Sequence, residues 1–333
     1  MKEIFNIVLV IIGALIGAGF ASGQEIYAFF YSYGFNGLIG IIITFILISF
    51  FIYKSLIIIC KNEVDNYEEF LKIFVKSPIL TKIINMILNI LLLVTFYIMI
   101  AGFGAYFEQE IGISKIIGSF ILVVISAIIF FTSVKGVLKV SEYVVPMLIL
   151  SIIVIGGISL FTTNFDIEIP TLRKGWILSS VTYCSYNMLL LIPVLISLRK
   201  QITDSKNIKY ISIISGILMV TVSIMLFMLL TQTSAQLSML EMPIVYIISE
   251  SFPKFKYIYA FVILASIFTT AISIGIGFLQ NVSKNKKSYT QFVLLMCITS
   301  MLVSNIGFSK LVKFIYPLFG YLGIIQMFLI GIH

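Results

Sequence analysis

A helix that crosses a hydrocarbon core of about 30 Å needs about 20 consecutive apolar residues, because lipid offers no partner to an exposed backbone amide or carbonyl. This chain holds ten such runs, at approximately 4–32, 36–60, 80–107, 114–132, 142–162, 173–198, 208–231, 254–280, 289–306 and 310–332. Soluble domains carry about 25% charged residues. Here 11% are charged and 60% hydrophobic, and the mean hydropathy is +1.14. Such a chain cannot cover itself with a water-compatible surface. With 22 Gly and 7 Pro among 333 residues, disordered and fibrous compositions are excluded too. The expected class is an all-α integral membrane protein. Ten spans leave roughly 130 residues for connections, so no separate soluble domain is expected.

The first run differs from a secretory signal. Lys2, an apolar stretch and the small residues AGFASG imitate one, but apolar character resumes after Gln24 and Glu25, and nine spans follow. Orientation follows from the basic residues. With the N-terminus inside, the inner segments hold fifteen: Lys2, Lys54, Lys61, Lys72, Lys76, Lys82, Lys135, Lys139, Arg199, Lys200, Lys206, Lys209, Lys284, Lys286 and Lys287. The outer segments hold seven: Lys115, Arg173, Lys174, Lys254, Lys256, Lys310 and Lys313. That bias places both termini in the cytoplasm, in a multi-pass protein of the cytoplasmic membrane. The net charge of +8 is therefore read as a topology signal; no basic tract suggests nucleic acid. Cys60, Cys184 and Cys297 are odd in number and widely spaced, which fits neither a disulfide framework nor a metal site. Residues 61–79 set Tyr67, Phe70, Leu71 and Phe74 at helical spacing among charges, the pattern of an amphipathic helix on the inner surface. Residues 235–252, interrupted by Pro243, are too polar to span and read as an outer cap or re-entrant segment.

The most informative stretch is GALIGAGFASGQEI, residues 13–26, in the middle of the first span. Gly13, Gly17, Gly19 and Gly23 fall within eleven residues. Each glycine costs a helix roughly 1 kcal/mol relative to alanine. Ser22-Gly23-Gln24-Glu25 then reads as a capping box that starts a new helix, with Glu25 bonding back to the Ser22 amide. A helix start at mid-membrane requires a helix end before it, so the first span is expected to be broken. Close packing through small-xxx-small contacts would explain the glycines but not the tolerance of Gln24 and Glu25 at this depth. In the sixth span Ser179, Ser180, Thr182, Tyr183, Ser185, Tyr186 and Asn187 crowd into nine residues, followed by Pro193. That density predicts a cavity wall or a second break. Spans one and six head two sets of five, which cross in opposite directions because five is odd. Paired interruptions at corresponding helices point to an inverted-repeat transporter with a midplane site, with repeats at 1–162 and 163–333.

Ile16-Gly17-Ala18-Gly19-Phe20 resembles the I-G-x-G-hydrophobic signature in the first helix of the amino acid–polyamine–organocation (APC) superfamily. The longer string GAGFASGQE, with TYCSYN in span six, resembles the YkvI-type bacterial membrane proteins. The resemblance implies the leucine-transporter (LeuT) fold, ten helices in a five-plus-five inverted repeat with helices 1 and 6 discontinuous. In it a bundle of spans 1, 2, 6 and 7 rocks against a scaffold of spans 3, 4, 8 and 9, and spans 5 and 10 act as arms that bend near Pro146 and Pro317. It implies that the amides of Ala18 and Gly19 hold an amino acid's carboxylate, within a first-span segment that also includes Gly17, Ser22, Gly23 and Glu25. Tyr183, Tyr186 and Asn187 would face this turn, with Tyr97 a further substrate contact.

Span eight suggests a cation site on its own. Ser266 offers a carbonyl, and Thr269 and Thr270 offer hydroxyls three and four residues later on one face. Oxygen ligands suit a hard monovalent ion, and the resemblance adds the carbonyls of Gly13 and Ile16. Proton-coupled relatives carry a lysine in the fifth span; residues 142–162 have none, which favours sodium as coupling ion. Glu25 has three readings: a helix cap, a partner for a substrate amine, or a proton carrier. The function implied is secondary active transport of an amino acid or related small amine with sodium. A membrane receptor that binds a small molecule without moving it, like the germinant-sensing subunits of spores, is the alternative. His333 is the single histidine, and neither a His-based triad nor a phosphate loop is present, so an enzyme is not expected.

Overall fold

A computed structural model describes residues 2–132, 137–162, 174–233, 236–283 and 285–333, which contain helices and no strand. Lys135, Arg173 and Lys284, which enter the charge count above, lie outside the described residues, as does the junction of the two expected repeats at 163–173.

The first expected span is three pieces. α1 (Lys2–Leu15) stops before Gly17, α2 (Ala18–Ala21) is a single turn, and α3 (Gln24–Phe29) starts after Gly23. α4 (Phe35–Lys61) follows the turn at Gly34. α5 (Tyr67–Phe74) is short and capped by Asn66, whose side chain accepts the Glu69 amide at 2.9 Å. α6 (Pro78–Tyr106) opens with proline at its first turn and ends in a π-helical turn, Phe107–Ile111, closed by Gly112 at φ 74°. Then come α7 (Lys115–Thr132), α8 (Val137–Thr162), α9 (Trp176–Leu198), α10 (Asn207–Leu230), α11 (Pro243–Ser251), α12 (Lys256–Val282), α13 (Lys286–Ser304) and α14 (Phe308–Ile332). Among the described residues, eight of these segments, α4, α6, α7, α8, α9, α10, α12 and α14, are long and apolar enough to cross a membrane. The protein is a multi-pass membrane protein. The pieces of the broken first span are too short to qualify singly, and α13 is a further long helix outside that set. Large apolar side chains such as Phe161, Phe314 and Leu302 stand outward on the lateral faces, where lipid replaces water as solvent.

α9 is the central element: 72% of its apolar window is buried, against 39–56% for the other spans. α1, α4 and α14 surround it. Its closest neighbour is α14, because Gly320 and Gly323 admit backbone to backbone; a Cβ at either would come 2.5 Å from the Thr182 or Ser185 carbonyl. Packing falls into two groups, α1 with α4, α9 and α10, and α6 with α7, α12 and α13, with α8 and α14 against members of both. Pro146 and Pro317 lie inside α8 and α14.

α5 straps the end of the bundle that carries the termini. Its Tyr67, Phe70 and Leu71 turn inward while Glu68, Glu69 and Lys72 face out, as the spacing predicts. The Tyr67 hydroxyl donates to Gln326 Oε1 of α14 at 2.8 Å, and Asp65 pairs with Arg199 at 2.8 Å. Burial pushes the Tyr67 phenol well above its ordinary range, so it stays a donor.

One expectation fails here. α9, the sixth span, runs unbroken from Trp176 to Leu198. It contains no glycine, and some of its hydroxyls turn back on their own helix: Ser180 donates to the Trp176 carbonyl at 2.8 Å and Thr182 to that of Leu178 at 2.9 Å. Ser179 donates instead to the Phe29 carbonyl at 2.7 Å and Ser185 also to that of Gly320, so the polar residues find partners on their own helix and on its neighbours and leave the ladder intact.

Candidate functional site

The break in the first span has defined geometry. Gly17 is extended (φ −97°, ψ −174°), which ends α1, and Gly23 sits in the left-handed region at φ 83°, which ends α2. A side chain at Gly23 would also collide with Ile244 of α11. The expected capping box does not form. Ser22 Oγ donates to the Gly19 carbonyl at 3.1 Å and accepts the Gln24 amide at 3.4 Å, and the Ser22 amide bonds the Ala18 carbonyl at 2.9 Å, so neither group pairs with Glu25. The left-handed turn at Gly23 starts α3 without a side-chain cap, so Glu25 falls one position earlier than a capping glutamate needs.

Glu25 folds back over α2 instead. Its carboxyl group lies against the bare face of Gly19, which is the floor: a Cβ there would lie 2.9 Å from Glu25 Cγ and 3.0 Å from Cδ, nearer still to Oε1. The Tyr183 hydroxyl of α9 donates to Oε2 at 2.8 Å. Glu25 is 1% exposed, and no basic side chain pairs with it among the described residues. The expected juxtaposition of the turn with Tyr183 and Tyr186 is present, and rings extend it. Tyr183 meets Phe29 and Phe30 edge-on, each at 5.0 Å, and Tyr186 stacks on Tyr316 of α14 at 4.3 Å. Asn187 is buried nearby but spends its amide on the Tyr183 carbonyl at 2.9 Å. Tyr97 is not part of the cluster. Its hydroxyl is 2.6 Å from Thr299 Oγ1, which turns it toward α13.

The candidate cation ligands lie on the first span and on α12. The Tyr259 hydroxyl of α12 donates to the Ala21 carbonyl at 2.6 Å, which registers α12 against α2. Ser266 lies seven residues further along α12, about 10 Å by helical rise. Ser266 and Thr269 are buried, and Thr269 Oγ1 donates to the Ser266 carbonyl at 3.2 Å, so two of the expected ligands satisfy each other. Thr270 is half-buried. Gly13 allows close approach of α8, where a Cβ would meet Val145 at 3.0 Å.

At the end opposite the termini, α11 lies over the break. Its Ile244 amide donates to the Ser22 carbonyl at 2.9 Å. The Gln24 side-chain amide donates to the Leu240 carbonyl. Gln109, in the π turn, exchanges two bonds with the Met242 backbone at 2.9 and 3.1 Å, and the Ser309 amide donates to Glu241 at 2.6 Å. The segment read as an outer cap is thus a lid tied to the first span, α6 and α14. Its anchors, and Tyr259 and Tyr316, escaped the sequence reading. Pro243 and Pro317 were the nearby signals, and neither identifies a partner. A groove lined by Asn66, Tyr67, Lys82, Asn85, Asn89 and Asn281 opens at the end carrying the termini, away from this cluster.

The chain is 31% identical over 328 residues, 96% of its length and 92% of the relative's, to a Bacillus subtilis (strain 168) protein described as an uncharacterized membrane protein, YkvI. It belongs to the YkvI family of membrane proteins. Another protein of that size, YyaD of the same organism, is 27% identical over 322 residues, 95% of this chain and 92% of the relative. No family model matches. Among solved structures, a mutant of the manganese transporter of Eremococcus coleocola aligns with a TM-score of 0.59 at 14% identity, over 90% of this chain and 68% of that one. At that identity the likeness shows a shared fold: the YkvI-family chain is built like a membrane transporter.

Proposed function

We propose that this YkvI-family protein is a secondary active transporter that moves an amino acid or related small amine across the cytoplasmic membrane by alternating access, with sodium as coupling ion and both termini in the cytoplasm. The observation that carries the reading is the break at Gly17–Gly23 with a buried carboxyl lodged in it and the Tyr183–Tyr186 face of α9 opposite. A helix interrupted at mid-membrane exposes backbone groups that lipid cannot satisfy, and such breaks are kept where they serve a ligand. Two further features support it. The lid α11 seals one end of this site, as one half of an alternating cycle requires. The two packing groups, joined through α8 and α14, supply bodies able to rock.

The structural neighbour is a manganese transporter, but the donors here suit that metal poorly. Among the described residues no three His, Cys, Asp or Glu side chains cluster, and the break offers one carboxyl and a phenol.

The test is uptake of a pooled panel of labelled amino acids and amines into proteoliposomes, with and without an inward sodium gradient. Sodium-driven accumulation that disappears in Thr270→Ala supports transport and the ion site together. Accumulation driven by a proton gradient instead transfers the coupling role to Glu25. Binding without accumulation under either gradient overturns the transport reading in favour of a receptor.

A further inference from the structure

The amides of the first-helix turn are the groups expected to hold a substrate's carboxylate. In this chain the turn already has a carboxyl group of its own. Glu25 lies against the bare face of Gly19 and accepts from Tyr183 at 2.8 Å. A second carboxylate brought to the same turn would find the bare face of Gly19 and the Tyr183 hydroxyl already taken by the first. No basic side chain among the described residues pairs with Glu25.

What surrounds the turn favours the opposite charge. Tyr183 meets the carboxyl group through its hydroxyl, and Tyr186, 6.1 Å from the Tyr183 ring, stacks on Tyr316; electron-rich rings near a carboxyl group attract cations. Gln24, next to Glu25 in the chain, keeps Oε1 buried with no hydrogen-bond partner while its nitrogen is tied to Leu240. An unpartnered buried acceptor is costly unless a donor reaches it. A buried carboxyl group beside tyrosines, with no basic side chain paired to it, suits an ammonium better than a second carboxylate.

The geometry points to a ligand that is an organic amine carrying no carboxylate, its ammonium held between Glu25 and the tyrosines of α9 and α14. This rests on reading the break as the ligand site, and it narrows the substrate class from amino acids and amines to amines alone.

The experiment compares amino acids with their own decarboxylated amines, by calorimetric titration of the purified full chain: leucine with isoamylamine, and ornithine with putrescine. At least one amine is expected to bind about tenfold or more tighter than its parent amino acid. Glu25→Gln should weaken that amine by about tenfold or more, whereas Tyr67→Phe, on the remote strap, should leave it unchanged. Parent amino acids binding as tightly as their amines overturn the inference, and so does binding by neither series. If Glu25→Gln does not fold, the paired comparison on the unaltered chain decides alone. Flux separates this inference from the transport reading. Amines that bind but do not accumulate leave the ligand class standing and remove transport; amino acids that accumulate where amines fail to bind do the reverse.

Discussion

Gly19→Ala tests the fold-back of Glu25 directly. A methyl group at this position would stand 2.9 Å from Glu25 Cγ and 3.0 Å from Cδ, closer than carbon atoms approach, so the carboxyl group must leave the turn. Leaving breaks its bond to the Tyr183 hydroxyl. A buried hydrogen bond to an acid side chain contributes about 1.5–3 kcal/mol, and alanine returns about 1 kcal/mol of helix propensity, so the net loss is about 0.5–2 kcal/mol. In a Glu25→Ala background nothing remains to displace, and the same substitution should be neutral or mildly stabilising. The coupling between the two sites is therefore about 2 kcal/mol. At about 2–4 °C per kcal/mol it reads as a non-additivity of roughly 4–8 °C in melting temperature. The assay is thermal unfolding of the four variants in detergent, followed by fluorescence of Trp176, the single tryptophan. Gly17→Ala is the control, since an added Cβ there meets nothing within 4 Å and the backbone is extended. Additive shifts for Gly19→Ala and Glu25→Ala, with coupling below about 0.5 kcal/mol, would refute the fold-back.

Tyr183→Phe removes a buried donor to Glu25 and should cost about 1.5–3 kcal/mol, measured in the same melts; an unchanged melt would show the hydroxyl to be idle. Gly23→Ala forces a Cβ into a left-handed turn and into Ile244, and a loss of about 1–3 kcal/mol is expected, with faster proteolysis of the lid. Gly320→Val should abolish a monodisperse folded species in size-exclusion chromatography, because its side chain meets the Thr182 carbonyl. Tyr67→Phe strips Gln326 of its bond and should cost about 1–3 kcal/mol near neutral pH. The folded phenol's pKa is raised, so the stability it lends is complete below the unfolded value of about 10 and is lost as pH climbs above it. The gap between parent and Tyr67→Phe melts should therefore shrink above about pH 10, and a gap that widens there would contradict the burial argument.

Span positions were legible because length and apolarity are set by the bilayer rather than by tertiary detail. The break in the first span was legible for a similar reason: four glycines in eleven residues and two polar side chains conflict with a continuous apolar helix. The destination of Glu25 was not. The S-x-x-E pattern describes a local cap, and nothing in it says that Gly23 turns left-handed and moves the helix start by one residue. The misreading of α9 had the opposite origin. Seven polar residues in a row of nine look costly in lipid, but a serine or threonine hydroxyl can bond its own helix, and sequence does not show which choice it makes. Tyr97 faces α13 rather than the cluster, and a rotation of α6 about its axis, which sequence does not reveal, decides between the two. The lid was legible as a non-spanning segment, while its anchors at Gln24, Gln109 and Glu241 depend on contacts between residues up to 216 positions apart.

The bond from the Ile244 amide to the Ser22 carbonyl has a mechanical meaning. That carbonyl is a free acceptor because the chain turns away at Gly23 instead of continuing the helix, and the lid occupies it. If α11 swings out, the carbonyl is stranded in a buried place and must recruit water or draw the turn at Gly23 into a new shape. Unlatching the entrance and reshaping the floor beneath Glu25 thus form one movement with a shared barrier. A change felt at the floor is transmitted to the door through this backbone hydrogen bond, alongside the Gln24 side chain's bond to Leu240.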